Sequence, residues 1–134
     1  MGCRVHVIKK QREYGNSEAF NYKIEEFSDL LSELGCEVCA QDDCSDFFEV
    51  SCEHYKNAIK VLKLFKKNTT EETFEKACEK AFNNKDYTNI GLREDIEDCI
   101  ETLCVESVDE MIDIMETFYR ERDKKSAWIQ FEMW

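Results

Sequence analysis

The sequence predicts an α+β fold: a ferredoxin-like four-stranded antiparallel sheet in the order β-α-β-β-α…β, with a three-helix insertion before the last strand. Three observations carry that expectation. Residues 47–65 change period midway: Phe48, Val50 and Cys52 alternate as in a strand, then Tyr55, Ala58, Ile59, Leu62 and Phe65 recur at helical spacing. Ahead of that pair the chain reads as strand, helix, strand, so its first half makes most of such a unit. The missing strand comes at the far end, where residues 127–134 set Ile129, Phe131 and Met133 against Trp128, Gln130 and Glu132.

Residues 4–10 form the first strand, with Val5 and Val7 on one side and Arg4, His6 and Ile8 on the other. A loop containing Gly15 leads, from a cap at Asn16 or Ser17, into a helix that ends at Gly35. Its apolar face is Phe20, Ile24, Phe27, Leu31 and Leu34, and its opposite face carries Glu25, Glu26, Asp29 and Glu33. Residues 36–40 make a short second strand, joined to the third through the turn QDDCSD as a hairpin. Ser51 caps the next helix, because its hydroxyl can accept from an otherwise unpaired first-turn amide.

The last strand is expected beside the first, which makes residues 69–125 a helical insertion within one domain spanning residues 1–134. Thr69 with Glu72, and Ser107 with Glu110, read as capping boxes. The first opens the stripe Phe74, Ala77, Cys78, Ala81 and Phe82; the second opens Val108, Met111, Ile112, Met115, Phe118 and Tyr119. Between them Leu92, Ile96, Cys99, Ile100 and Leu103 mark another helix. The sheet face away from the helices would show Arg4, His6, Ile8, Phe47, Glu49, Trp128 and Gln130, covered by the insertion or by a partner.

At 43% apolar and 12% aromatic residues the chain can build a core despite 36% charged residues. No apolar run approaches the ~20 residues needed to cross a bilayer. The opening MGCRVHVIKK lacks a signal-peptide core, so the expected location is the cytoplasm. Gly2 and Cys3 do not make an acylation signal, because His6 stands where Ser or Thr is required. The eight cysteines fall in strands and helices and are expected as reduced, mostly buried thiols.

The net charge of −12 is concentrated, for residues 94–119 hold ten acids and no base. Glu94, Glu97, Asp98 and Glu101 lie on one helix surface, Glu106 follows, and Asp109, Glu110, Asp113 and Glu116 lie on the next. Neighbours along such rows stand roughly 5 to 6 Å apart. Phosphates along a nucleic acid are spaced comparably, so these rows are expected to occupy a basic groove on another protein. Solvated helix faces carry acids too, but usually with lysine or arginine interleaved, and here there is none. Lys56, Lys60, Lys63 and Lys67 make the outer face of the helix after Ser51 basic and available to pair with the acidic helices. So acidic a chain argues against nucleic acid itself as the partner.

Cys36, Cys39, Cys44 and Cys52, with His54 nearby, offer zinc-binding residue types. A C-x-x-C pair in a regular strand sends its sulfurs to opposite faces, and no second such pair follows, so a zinc-stabilised module stands only as an alternative. The pair does not open a helix, as redox pairs do. His6 and His54 sit in no nucleophile motif, and four glycines form no phosphate loop, so nothing points to enzymatic activity or a cofactor. The other alternative is a small-molecule or nucleotide binder with a pocket between sheet and insertion, using Arg4, His6, Arg12 and Tyr14.

RVHVIKK followed by EYGNSEAFNYKIEEFSDLLSELG, within roughly the first third of the chain, resembles short open reading frames of phages and mobile elements. The resemblance implies a class, small acidic anti-defence inhibitors such as anti-CRISPR proteins, and carries over no site residue. The functional expectation is a non-enzymatic acidic protein that binds and inhibits a basic, nucleic-acid-handling partner.

Overall fold

A computed structural model describes residues 5–10, 13–14, 24–40, 47–82 and 89–133, with side-chain surroundings for 25–39, 48–82 and 89–131. Its elements are β1 (Val5–Lys10), β2 (Glu13–Tyr14), α1 (Ile24–Glu33), β3 (Val38–Ala40), β4 (Phe47–Ser51), α2 (Cys52–Lys67), α3 (Glu71–Ala81), α4 (Arg93–Thr102), α5 (Val108–Glu121) and β5 (Trp128–Met133). Helices predominate over strands in this α+β chain. No described helix is long and apolar enough to cross a membrane.

The sheet overturns the ferredoxin-like expectation. Its order is β2-β1-β5-β4-β3, five strands in place of four, with every neighbouring pair antiparallel. The last strand pairs with the first, Val7 opposite Phe131, but it also pairs along its length with β4, Phe48 opposite Phe131. Strand β5 is therefore central and separates β1 from β4, the two strands that a split β-α-β unit keeps adjacent. A central place suits WIQFEM, which has one charged residue and satisfies both of its backbone edges there.

One face of the sheet meets the helices. Phe48, Val50, Ile129 and Phe131 are buried there, in one core cluster with residues from all five helices. On the other face, Glu49 lies between Cys39 and Gln130 in register, and Ser51 lies opposite Trp128. Gln130 donates to the Glu49 carboxylate at 3.3 Å, and Trp128 remains 40% exposed. His6 and Phe47 both pair with Glu132; their side chains, and those of Arg4 and Ile8, fall outside the described set.

Local chemistry explains the element ends. Gly35, at φ 96°, closes α1 with Cys36 N–H donating to Leu31 O and Gly35 N–H to Ser32 O, both bonds of a Schellman cap. Phe20 and the cap expected at Asn16 or Ser17 lie outside the described residues. The Ser51 hydroxyl accepts from His54 N–H at 3.1 Å, and Cys52, read as strand from the sequence, already opens α2. Thr70, one residue later than expected, caps α3 by accepting from Thr73 N–H. The Ser107 hydroxyl accepts from Glu110 N–H, while the Glu110 carboxylate reaches back to Glu106 N–H rather than to residue 107.

The helices expected as an insertion divide between different neighbours. Helix α5 packs on α2 and β1, whereas α4 packs on α1 and α3. Two backbone contacts fix the entry to α4: Leu34 and Ile90 form an antiparallel bridge, and Gly91 N–H donates to Glu33 O at 2.7 Å.

Candidate functional site: an acidic seam between two helices

The residues expected to bind a partner separate into two groups with different surroundings. On α5, Asp109 pairs with Lys66 and Glu116 with Lys63 at 3.8 Å, so α2 supplies cations to that row from across the core. Asp113 is exposed and lines the α2–α5 groove, together with Lys56 at one end and Lys67 at the other. Glu106 and Glu110 are exposed, with the Glu110 carboxylate engaged in its helix cap. Exposed pairs of this kind each contribute only about 0.2–1 kcal/mol, but they lower the charge that α5 presents outward.

On α4, Glu94, Asp95, Glu97, Asp98 and Glu101 are all exposed. Only Glu97 has an ion-pair partner among the described residues, Arg93 at 3.8 Å on its own helix. Helix α1, packed beside α4, adds the i, i+4 row Glu25, Asp29 and Glu33. The two rows meet at Glu33 and Cys99. Glu33 has its carboxyl pushed above the usual range, first by burial and then by the negative charges of Asp95 and Asp29. The Cys99 thiol is pushed up, first by burial and then by the negative charges of Glu33, Asp29, Asp95 and Asp98.

Gly91 lies directly under this seam. A methyl group on its Cα would stand 1.8 Å from a Glu33 carboxylate oxygen, so a larger residue would displace that flexible side-chain end from its place over the loop. Helix dipoles explain only some of the charges. First-turn acids such as Glu94, Asp95, Glu25 and Glu26 are favoured by the positive end of the helix. Glu33 and Glu101 occupy the opposite ends, where a negative charge is disfavoured. Neither α1 nor α4 has a basic residue in its last turn, although α2, α3 and α5 all do.

The raised Glu33 value has a definite consequence. The folded chain holds this proton more tightly than the unfolded chain, whose reference value is 4.5. Stability linked to this group is therefore lowest above the folded value and is regained as pH falls toward 4.5. Glu33→Gln is expected to raise the Tm at neutral pH, with the advantage over the parent shrinking on acidification. Thermal melts of both proteins across that range check this, and a variant less stable at neutral pH would contradict the account of burial and repulsion.

The cysteines expected as zinc-binding candidates do not converge. The Cys36 thiol is buried and donates to His54 O, and the Cys52 thiol donates to Ser126 O at the far end of the chain. Cys39 stands in register with Glu49 on the outer face of the sheet, and Cys44 lies outside the described residues. Among the described residues no group of three metal-binding side chains is assembled. His54 accepts a hydrogen bond at Nδ1 from Glu37 N–H. The side chains of Arg4, His6, Arg12 and Tyr14 lie outside the described residues, and the described grooves run between α2 and α5 and between α3 and the segment entering α4. Sequence reasoning did not join Asp29, Glu33 and Asp95 to the site. The signal for Asp29 and Glu33 was an α1 face carrying four acids, and for Asp95 its place in the acidic run of residues 94–119, but which helix lies beside which is set by tertiary packing.

No family model, no curated protein and no solved structure matches this chain.

Proposed function

We propose that the chain is a non-enzymatic interaction protein that docks its α1–α4 acidic seam on a basic, nucleic-acid-handling partner and inhibits it. One observation carries the reading: acids of α1 and α4 gather along the line where the two helices pack, no basic residue stands in the last turn of either, and Glu33 there is pushed up by burial and by repulsion from Asp95 and Asp29. Charges that weaken the fold are explained by what they meet outside it. An anti-defence role, with the acids standing in for phosphates, fits the character of the N-terminal third. The Cys78 thiol, pushed up to about 11, and the raised Cys99 thiol are both poor thiolates at neutral pH, which agrees with a binding rather than a nucleophilic role.

The test is capture of partners from the natural host on immobilised protein, eluted with rising salt and challenged with duplex DNA. Capture is expected to weaken steeply with salt, and DNA is expected to displace the bound protein. Replacing Asp29, Asp95, Asp98 and Glu101 together by lysine is expected to abolish capture. The Asp109→Lys, Asp113→Lys double variant is expected to weaken it only slightly, because Asp109 already has a lysine partner. Capture that survives the quadruple reversal, or that DNA leaves untouched, would reject the proposal.

A further inference from the structure

Helix α3 and the segment entering α4 enclose a groove of about 330 Å³ that the acidic seam does not use. Its floor is Phe74, Cys78 and Phe82, and Ile90 and Leu92 form the facing wall. Leu92 is 58% exposed, the most exposed large apolar residue among those described. Along the other lip run Glu71, Glu75 and Glu79, one turn apart on α3. Glu71 is tied to Arg93 N–H at 2.7 Å, while Glu75 and Glu79 have no ion-pair partner among the described residues. Because burial and Glu71 raise the Cys78 thiol to about 11, the floor stays neutral and apolar at physiological pH.

We infer that this groove is the second half of the docking surface and receives a helical segment of the partner whose leucine-like side chains are flanked by lysine or arginine. The inference rests on the proposed function and specifies the partner. Apolar side chains fill the floor against Leu92, and the flanking cations meet the row of carboxylates, which is helix-in-groove recognition with a complementary rim. Gly91 joins the two halves: it lines the groove and also lies beneath the Glu33 carboxylate of the seam. The seam and the groove therefore share a residue.

The probe is an amphipathic lysine and leucine peptide of about 16 residues, long enough to populate a helix, compared with a peptide in which alanine replaces each leucine. Titration into full-length protein with labelled isoleucine and leucine methyls is expected to shift Ile90 and Leu92, with the leucine peptide binding at least about tenfold tighter. Leu92→Ser, and separately the Glu75→Lys, Glu79→Lys pair, are each expected to weaken that binding about tenfold. All three positions are exposed, so these variants should fold. Equal binding of the two peptides, or shifts elsewhere with Ile90 and Leu92 unmoved, would overturn the inference. Binding that is lost on Asp98→Lys with Glu101→Lys, yet indifferent to both groove variants, would overturn the groove and leave the seam standing. Groove binding that persists while the seam reversal leaves host capture intact would retain the groove and reject the seam.

Discussion

Replacing Phe131 by alanine is expected to remove about 4 kcal/mol of stability, in the range found when a fully buried aromatic leaves a cavity. Phe131 is fully buried in the central strand. Its ring lies 5.0 Å from Phe48 of β4, 5.3 Å from Phe27 of α1, 5.4 Å from Phe118 of α5 and 5.7 Å from Tyr55 of α2, centroid to centroid. Four elements thus meet on one side chain, and the collapse of any one toward the void is opposed by the other three. Tyr55 is further held by its hydroxyl, which donates to Met115 O at 2.9 Å. Against a total stability of about 5–15 kcal/mol, the loss is a large fraction of the whole. Urea unfolding should show a much lower midpoint at an unchanged slope. Phe131→Leu, which refills part of the volume, should recover more than half of the loss. A deficit for alanine below about 2 kcal/mol would show that the aromatic cluster is not where the sheet and helices are joined.

The place of Phe131 in the pattern was legible, whereas its neighbours were not. Alternation of Ile129 and Phe131 with Trp128 and Gln130 requires a strand with one buried face, and β5 has one. Alternation is the same for an edge strand and a central strand, so it does not say which strands lie on either side. The long helical segment before β5 removes the constraint of a short connection, and the strand enters between β1 and β4. The scarcity of charge in WIQFEM was the available sign of a central position. Strand β2, two residues beside Gly15 and Asn16, carried turn chemistry and no alternation; it exists through pairing with β1 across an irregular register.

The acidic site was legible in amount and not in arrangement. Counting charges along residues 94–119 treats α4 and α5 as one surface, because local i, i+4 rules see only cations on the same helix. Lys63 and Lys66 reach α5 from α2, more than forty positions away in sequence, and pair two acids of the α5 row, whereas the α4 row has only Arg93 of its own helix. The acids of α1 were visible as a row, but only the packing of α1 on α4 turns two ordinary solvated faces into one concentrated field. The groove on α3 had a similar history: Phe74, Cys78 and Phe82 read as an apolar stripe seeking burial, and the fold leaves part of that stripe open beside Leu92.

Arg93→Ala is expected to cost about 2–3 kcal/mol, from the loss of a partly buried cation–π contact and the exposure of unsatisfied helix-end carbonyls. The Arg93 side chain is only 20% exposed and lies with Cζ 4.2 Å from the centre of the Phe65 ring. Its Nε donates to Asn68 O at 2.9 Å and a terminal nitrogen donates to Phe65 O at 3.4 Å. Both carbonyls belong to the C-terminal end of α2, where the backbone lacks partners and the dipole favours a cation. One side chain thus caps α2 while fixing the first residue of α4, whose own N-cap, Leu92, offers no side-chain hydrogen bond. Arg93→Lys should recover less than half of the stability, because a single ammonium cannot lie on Phe65 and also reach both carbonyls as the planar fork does. Urea denaturation of the three proteins measures this, and a lysine variant as stable as the parent would show that charge alone matters. The same substitution separates charge from placement in binding. Arg93→Ala makes the seam more acidic and should speed encounter with a basic partner. If affinity nevertheless falls, it is the position of α4 against α1 that the partner reads; a rise in affinity would mean that net charge suffices.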